Sequence, residues 1–303
     1  MEEKTAEESS SPTQVRVMLW FIPRTLSTAI TKCLSFVDGI QIIFEPYLYA
    51  YYYGPERKQT GVSEMYDNFL DKTNDAVTDK VDLAKGFIPD TCTYDWVKQT
   101  LEADYPGKKI VFCKDASYTL DGQYDRLPQG YRHTFIIRHP YKLYTSWRRL
   151  VQRFLQLQEP FYWHELPEPI RPAKYGLEEH YELYQYLINH GMNPIIIDAD
   201  DLQRHPESIM RKYCAAVGIP FTEDLLQWPS GDDILHTWMA PDGLIQGNKL
   251  GNEGGFYDVA LQSTCFGPPR ETPSRASLRE DVRYMSDASM PFYEKMYNHR
   301  IKP

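Results

Sequence analysis

The chain has 303 residues, 42% of them hydrophobic, and a formal net charge of −9. That is enough apolar material for one sizeable core, and the acidic balance disfavours a polyanion such as DNA or heparin as the main partner. Residues 1–14 lack the basic start and apolar core of a signal peptide, and no apolar run approaches the roughly 20 residues needed to span a bilayer.

Residues 1–14, acidic and bearing Ser and Thr, read as a disordered tail, and 15–303 as a single domain. A strongly apolar strand is expected over 15–22. Pro23 and Arg24 break it, and Ser27 and Thr28 open a helix over 27–36. The free N–H groups of that first turn, with its hydroxyls and Arg24, would cradle an anion. The turn is not G-x-x-x-x-G-K-[S/T], so magnesium coordination there has little support. A second strand, 40–44, ends in Glu45, a strand-end carboxylate suited to general-base work. The plainer alternative pairs Glu45 with Arg24 or Arg57. Tyr47, Tyr49, Tyr51, Tyr52 and Tyr53 follow, either walling an acceptor pocket or packing in the core.

A helix over 94–103 precedes a strand over 110–114 that ends in Lys114 and Asp115. Lys114 offers a strand-end cation, and Asp115 is the rival base to Glu45. The strand over 134–138 ends in Arg138, and Pro140 opens a helix over 141–157. There Leu143, Trp147, Leu150, Val151 and Phe154 recur on one apolar face. Ser146 follows Arg138 by eight positions, so guanidinium and hydroxyl together form a second anion site. Two such sites predict a nucleotide with two separated phosphate groups. Residues 157–175, rich in Pro and aromatics, read as a lid or substrate loop. A helix over 178–190, a strand over 194–198, an acidic turn and a helix over 207–217 follow. Long functional loops are expected at 229–255 and 267–277, and a short helix within 286–303. The alternation predicts an α/β fold: a parallel sheet with helices on both faces. Ligands in such sheets bind beyond the carboxyl ends of the strands, where Arg24, Glu45, Lys114 and Arg138 fall.

Pro23-Arg24-Thr25-Leu26-Ser27-Thr28 resembles the 5′-phosphosulfate loop of the sulfotransferase superfamily, with its P-loop-like fold. Arg138, Pro140 and Ser146 resemble its 3′-phosphate element, and 195–221 its strand, acidic turn and helix. The likeness is closer to a divergent branch with Arg in the first loop and Glu-Pro after the second strand. It implies 3′-phosphoadenosine 5′-phosphosulfate as co-substrate, no metal, and transfer to a hydroxyl or amine of a small molecule. It assigns Arg24, Thr25, Ser27 and Thr28 to the 5′ end and Arg138 and Ser146 to the 3′-phosphate. Lys249, Ser263, Thr264 and Arg270 lie where the family returns a loop over the nucleotide. It supports Glu45 as base, since several branches place a glutamate just after the second strand. Arg24 replaces the usual loop lysine and can clamp charge, but it cannot donate a proton.

The chain also departs from the phenol and steroid enzymes of the superfamily, which carry K-x-H; here Lys114-Asp115-Ala116 lacks the histidine. The lack of the membrane anchor of Golgi members favours a cytoplasmic enzyme. Two other readings stay open: a P-loop-like nucleotide kinase, and a catalytically silent nucleotide-binding protein. The 8 histidines show no metal-ligand spacing, so His139 and His236 read as structural or nucleotide-adjacent. Five scattered cysteines read as reduced thiols, with Cys33, Cys113 and Cys214 buried. The expected partner is a small acceptor, apolar or aromatic, with no nucleic acid and no membrane; a homodimer remains open.

Overall fold

A computed structural model describes residues 14–56, 86–87, 92–154, 157–166, 174–241 and 257–303. Of the expected tail only Gln14 is described, and it belongs to the domain: its amide donates to the carbonyls of Tyr105 (2.7 Å) and Lys108 (2.9 Å). Residues 1–13 lie outside the described residues, as do 167–173 of the expected lid and 242–256.

Among the described residues, seven strands form one sheet: β1 (Val15–Phe21), β2 (Ile40–Phe44), β3 (Gly86–Phe87), β4 (Ile110–Ala116), β5 (Arg132–Ile137), β6 (Ile195–Asp198) and β7 (Trp238–Pro241). Their order is β3-β7-β2-β4-β1-β5-β6, and the pairs run parallel. The expected α/β class holds. Strand positions covered on both faces favour apolar residues, which is why 17–21 of β1 and 110–113 of β4 read as unbroken apolar runs. Val17, Leu19 and Phe21 pack on one face against α1 (Ser27–Leu34), through Ile30 and Cys33. Met18, Trp20 and Ile22 face the other layer. It contains α2 (Pro46–Tyr53), α3 (Tyr94–Glu102), α4 (Pro140–Phe154) and α5 (Leu177–Asn189). Leu143, Trp147, Leu150 and Val151 of α4 are buried, as their helical spacing requires. All five cysteines are free; Cys33, Cys92, Cys113 and Cys214 are buried.

Three departures from the sequence reading follow from long-range contacts. Tyr47–Tyr53 belong to α2, although Y-L-Y-A-Y-Y-Y has modest helix propensity. Asp115 of β4 starts that helix by accepting the Tyr47 N–H (2.5 Å) and the Leu48 N–H (3.0 Å), while Pro46 occupies its first turn. Second, the loop expected over 229–255 contains strand β7, whose Trp238 stacks on Phe44 at 4.8 Å and donates to Ser35 Oγ at 2.7 Å. Third, the acidic turn after β6 is the short helix α6 (Ala199–Arg204), capped by Asp198 through the N–H groups of Asp200 (2.9 Å) and Asp201 (3.0 Å). Beyond it run α7 (Pro206–Val217), α8 (Asp258–Leu261) and α9 (Glu280–Tyr297). The last of these starts earlier than the short terminal helix expected within 286–303. Among the described residues, no helix is long and apolar enough to cross a membrane.

Candidate active site

The order of the sheet places β1 between β4 and β5, so the loops leaving all three strands meet at its carboxyl edge. The residues of the two expected anion sites adjoin there. Arg138 Nη1 donates to the carbonyl of Arg24 at 2.8 Å, and Arg24 Nε donates to Ser146 Oγ at 3.1 Å. The turn itself is strained: Arg24 and Leu26 have φ of 75° and 68° without being glycine, each at a cost of about 1–2 kcal/mol. Leu26 sits at the N-cap of α1 and gives no side-chain cap to its first-turn N–H groups, which leaves those donors for an anion. Thr25 uses its hydroxyl within the turn, donating to the Ile22 carbonyl at 2.7 Å, and Ser27 is buried in the first turn of α1.

Positive charge is concentrated around this turn. Burial lowers the pKa of Arg24, and repulsion from Arg138 and Arg153 lowers it further. Burial also lowers that of Arg138; Asp200 and Asp198 oppose this, while Arg270 acts in the same direction as burial. Arg138 Nε is buried with no hydrogen-bond partner. A buried guanidinium with an unmet donor, beside further arginines, is suited to an anionic ligand. Lys142 of α4 bonds Asp200 at 2.5 Å, and Tyr293 donates to Asp198 at 3.1 Å, so the carboxylates behind Arg138 are themselves fixed.

The next cluster is built by register. Phe44 of β2 pairs with Lys114 of β4, so both side chains emerge on one face. Glu45 follows Phe44 by one residue, and a continued strand would send it to the opposite face. A φ of 57° breaks that alternation, and the Glu45 carboxylate meets the Lys114 ammonium. Both side chains are 1% exposed. Lys114 also donates to Thr28 Oγ1 at 3.1 Å and lies 3.9 Å from the Phe21 ring centroid and 4.4 Å from that of Phe44. Burial lowers its pKa, and Glu45 opposes that shift. The second carboxylate oxygen of Glu45 accepts the Tyr257 hydroxyl. The partners of Glu45 are therefore Lys114 and Tyr257 rather than Arg24; Arg57 lies outside the described residues.

Asp115, the expected rival base, occupies a different position. Its oxygens accept the backbone N–H groups of Tyr47, Leu48 and Ala116, and it is fully buried. It starts α2, and both its oxygens are bonded to backbone N–H groups. Ser263 and Thr264 also fall elsewhere than expected. Ser263 Oγ bonds the Ala260 carbonyl at 2.6 Å and Trp228 Nε1 at 3.3 Å, while its carbonyl accepts Lys32 from the last turn of α1 at 3.1 Å. Thr264 is exposed and accepts the Trp228 N–H through its carbonyl. Both therefore lie by the far end of α1, because the chain after α8 packs on Trp228 before it turns back. Arg270 does reach the neighbourhood of Arg138, and Lys249 lies outside the described residues.

The tyrosines divide as the sequence allowed. Tyr47 is buried, with its hydroxyl on the Arg126 carbonyl at 2.5 Å. Tyr49 is half-buried, and Glu45, after burial, is the second cause of its raised pKa, so it lies beside that carboxylate. His139 packs edge-on to Tyr141 (4.9 Å) and tilted against Tyr293 (5.5 Å), and His236 is exposed. Arg148 pins part of the expected lid, bonding Glu159 at 2.8 Å and the Phe161 carbonyl at 2.8 Å. Among the described residues no group of three or more His, Cys, Asp or Glu could hold a metal ion. Sequence reasoning missed Tyr257 and Arg153: neither lies in a motif, and only folding brings them to Glu45 and Arg24.

Comparison with known proteins agrees with the family read from the motifs. The family model of the sulfotransferase domain matches residues 182–300. Among curated proteins, Branched-chain-amino-acid aminotransferase-like proteins 2 and 1 of Arabidopsis thaliana are 30% and 26% identical over 92% of this chain. The chain spans 41% of the length of each. Among solved structures, the sulfotransferase domain of the Synechococcus PCC 7002 olefin synthase is 15% identical with a TM-score of 0.47, over 94% of this chain and 98% of that one. A sulfotransferase from Alicyclobacillus acidocaldarius is 16% identical with a TM-score of 0.48, over 73% of this chain and 88% of that one. The sulfotransferase-domain model thus matches the carboxyl-terminal part of the chain, and the loops that resemble that family's motifs lie at the carboxyl edge of the parallel sheet.

Proposed function

We propose that the chain transfers a sulfuryl group from 3′-phosphoadenosine 5′-phosphosulfate to a hydroxyl, or less readily an amine, of a small molecule. The observation that carries this reading is the position of Lys114. Its ammonium ties Thr28, in the first turn of α1, to Glu45 at the end of β2, and so stands between an anion turn and a base. The donor would supply an activated sulfuryl group on a bridging phosphate oxygen. The residues present fit such a ligand: α1 has no side-chain cap, and Arg138 Nε is buried without a partner.

In this reading Arg24, Thr25, Ser27, Thr28 and the first-turn N–H groups of α1 hold the 5′ end. Arg138 and Ser146 hold the 3′-phosphate, with Arg270 nearby. Lys114 meets the negative charge that develops on the leaving oxygen. Glu45 takes the proton of the acceptor hydroxyl. Phe21 and Phe44 keep water from the ammonium, which strengthens its field.

The test has two parts. Calorimetry should give much tighter binding of 3′-phosphoadenosine 5′-phosphate than of adenosine 5′-phosphate. Incubation with labelled donor and a metabolite extract should yield sulfated products, with turnover falling by about 10²–10⁴-fold in Glu45→Gln while nucleotide affinity holds. Equal affinity with and without the 3′-phosphate, or full turnover in Glu45→Gln, would refute the reading.

A further inference from the structure

We infer that Tyr257 holds the acceptor's place on Glu45, so that an acceptor hydroxyl must displace this phenol before its proton can reach the carboxylate. The inference rests on Glu45 acting as the base proposed above. A carboxylate that is to receive a proton from a substrate needs a lone pair that the substrate can reach, and the Glu45 side chain is only 1% exposed. Here Lys114 is bonded to Oε1 and the Tyr257 hydroxyl donates to Oε2.

The two partners are not equally fixed. Lys114 leaves a central strand, bonds Thr28 as well, and lies between the Phe21 and Phe44 rings. Tyr257 stands at the N-cap of α8, a helix of only four residues, with its ring edge-on to Phe44 at 5.3 Å. Tyr257 is therefore the partner that can leave. Its hydroxyl is also the right chemical stand-in: a neutral O–H donor directed at the oxygen that an acceptor O–H must address. Burial, first, and the Glu45 carboxylate both push its pKa well up, so it remains a donor. While Tyr257 is seated, it keeps water off that oxygen, and the base is exposed only when an acceptor competes for it.

Loss of a hydrogen bond to a charged group on acceptor entry weakens acceptor binding by about tenfold or more. The test uses phenol as the probe, because it reproduces the group it must replace. Calorimetry would compare the native chain, Tyr257→Phe and the Tyr257→Phe/Glu45→Gln double variant, each with and without 3′-phosphoadenosine 5′-phosphate. Tyr257→Phe keeps the ring on Phe44; Tyr257→Leu is the second variant unable to donate. The expected result is phenol affinity at least about tenfold higher in Tyr257→Phe, with most of that gain lost in the double variant. Unchanged or weaker phenol binding in both single variants overturns the inference, as does no phenol binding by any form. A role in bracing α8 alone would lower thermal midpoints without moving phenol affinity, and would equally overturn it. Failure of every form to bind the nucleotide would instead refute the function proposed above, and the phenol arm would still be readable without nucleotide.

Discussion

Removing either partner of the Lys114–Glu45 pair should cost far more stability than removing both. Each side chain is 1% exposed, so neither charge has water to fall back on when alone. In Glu45→Gln the lysine loses the carboxylate that opposes the lowering of its pKa by burial. It can escape by shedding its proton, at a cost set by how far the solution pH lies below the ordinary lysine value of 10.5. At pH 7 that ceiling is 1.36 × (10.5 − 7), or about 4.8 kcal/mol. Lys114→Met leaves the carboxylate alone among the same aromatic rings, at about 3–5 kcal/mol. The double variant Lys114→Met/Glu45→Gln buries no charge and should return to within about 1–2 kcal/mol of the native chain. The sign of the pH dependence gives a second check. In Glu45→Gln the folded-state pKa of Lys114 loses the carboxylate that opposes burial and falls further below the unfolded value of 10.5. The unfolded state thus binds more protons, and stability should rise with pH by up to about 1.4 kcal/mol per unit. Urea unfolding of the four chains between pH 6 and 9 measures both quantities. Additive costs in the double variant, or a flat pH profile in Glu45→Gln, would show that the pair is not the buried, coupled unit described here.

Arg138→Ala should weaken 3′-phosphoadenosine 5′-phosphate by roughly 1.5–3 kcal/mol, about 10- to 150-fold, and adenosine 5′-phosphate much less; calorimetry showing an equal loss for both ligands would contradict its place at the 3′-phosphate. Asp115→Asn should lower the thermal midpoint, because one amide oxygen cannot accept all three backbone N–H groups that the carboxylate accepts, and an unchanged midpoint would argue against its role in starting α2. With Arg24, Arg138 and Lys114 supplying the positive field, transfer should persist in excess chelator; activity abolished by chelator and restored by magnesium would contradict this. Burial lowers His133 to about 4 and His180 to about 3, against 6.5 in the unfolded chain. The unfolded state then binds more protons below pH 6.5, so stability should be complete above that pH and be lost as pH falls toward 4. At pH 5 the two together should remove about 4 kcal/mol, offset in part by Asp198, which burial raises to about 6; the fall in urea midpoint from pH 8 to pH 5 should therefore shrink in His133→Gln/His180→Gln, and an unchanged fall would refute this.

The order of strands and helices was legible in the sequence because strand positions covered on both faces favour apolar residues, and α4 must repeat its apolar residues at helical spacing. Arg24, Glu45, Lys114 and Arg138 were legible for a related reason: each follows or ends such a run, and a parallel sheet gathers those ends along one edge. What the sequence left open depended on partners far away in the chain. Helix α2 starts where Asp115 meets its N–H groups, 67 and 68 residues distant, so neither segment signals the helix by itself. The roles of Glu45 and Asp115 were separated in the same way. Both are carboxylates at strand ends, and only the left-handed turn at Glu45 and the register of β2 on β4 bring one to Lys114 while the other goes to a helix start. Tyr257 comes from 212 residues further on, outside any motif, and joins Glu45 only through tertiary packing. Periodicity and strand ends are local properties that a sequence carries residue by residue; which buried charge meets which partner is set by the packing of the whole sheet.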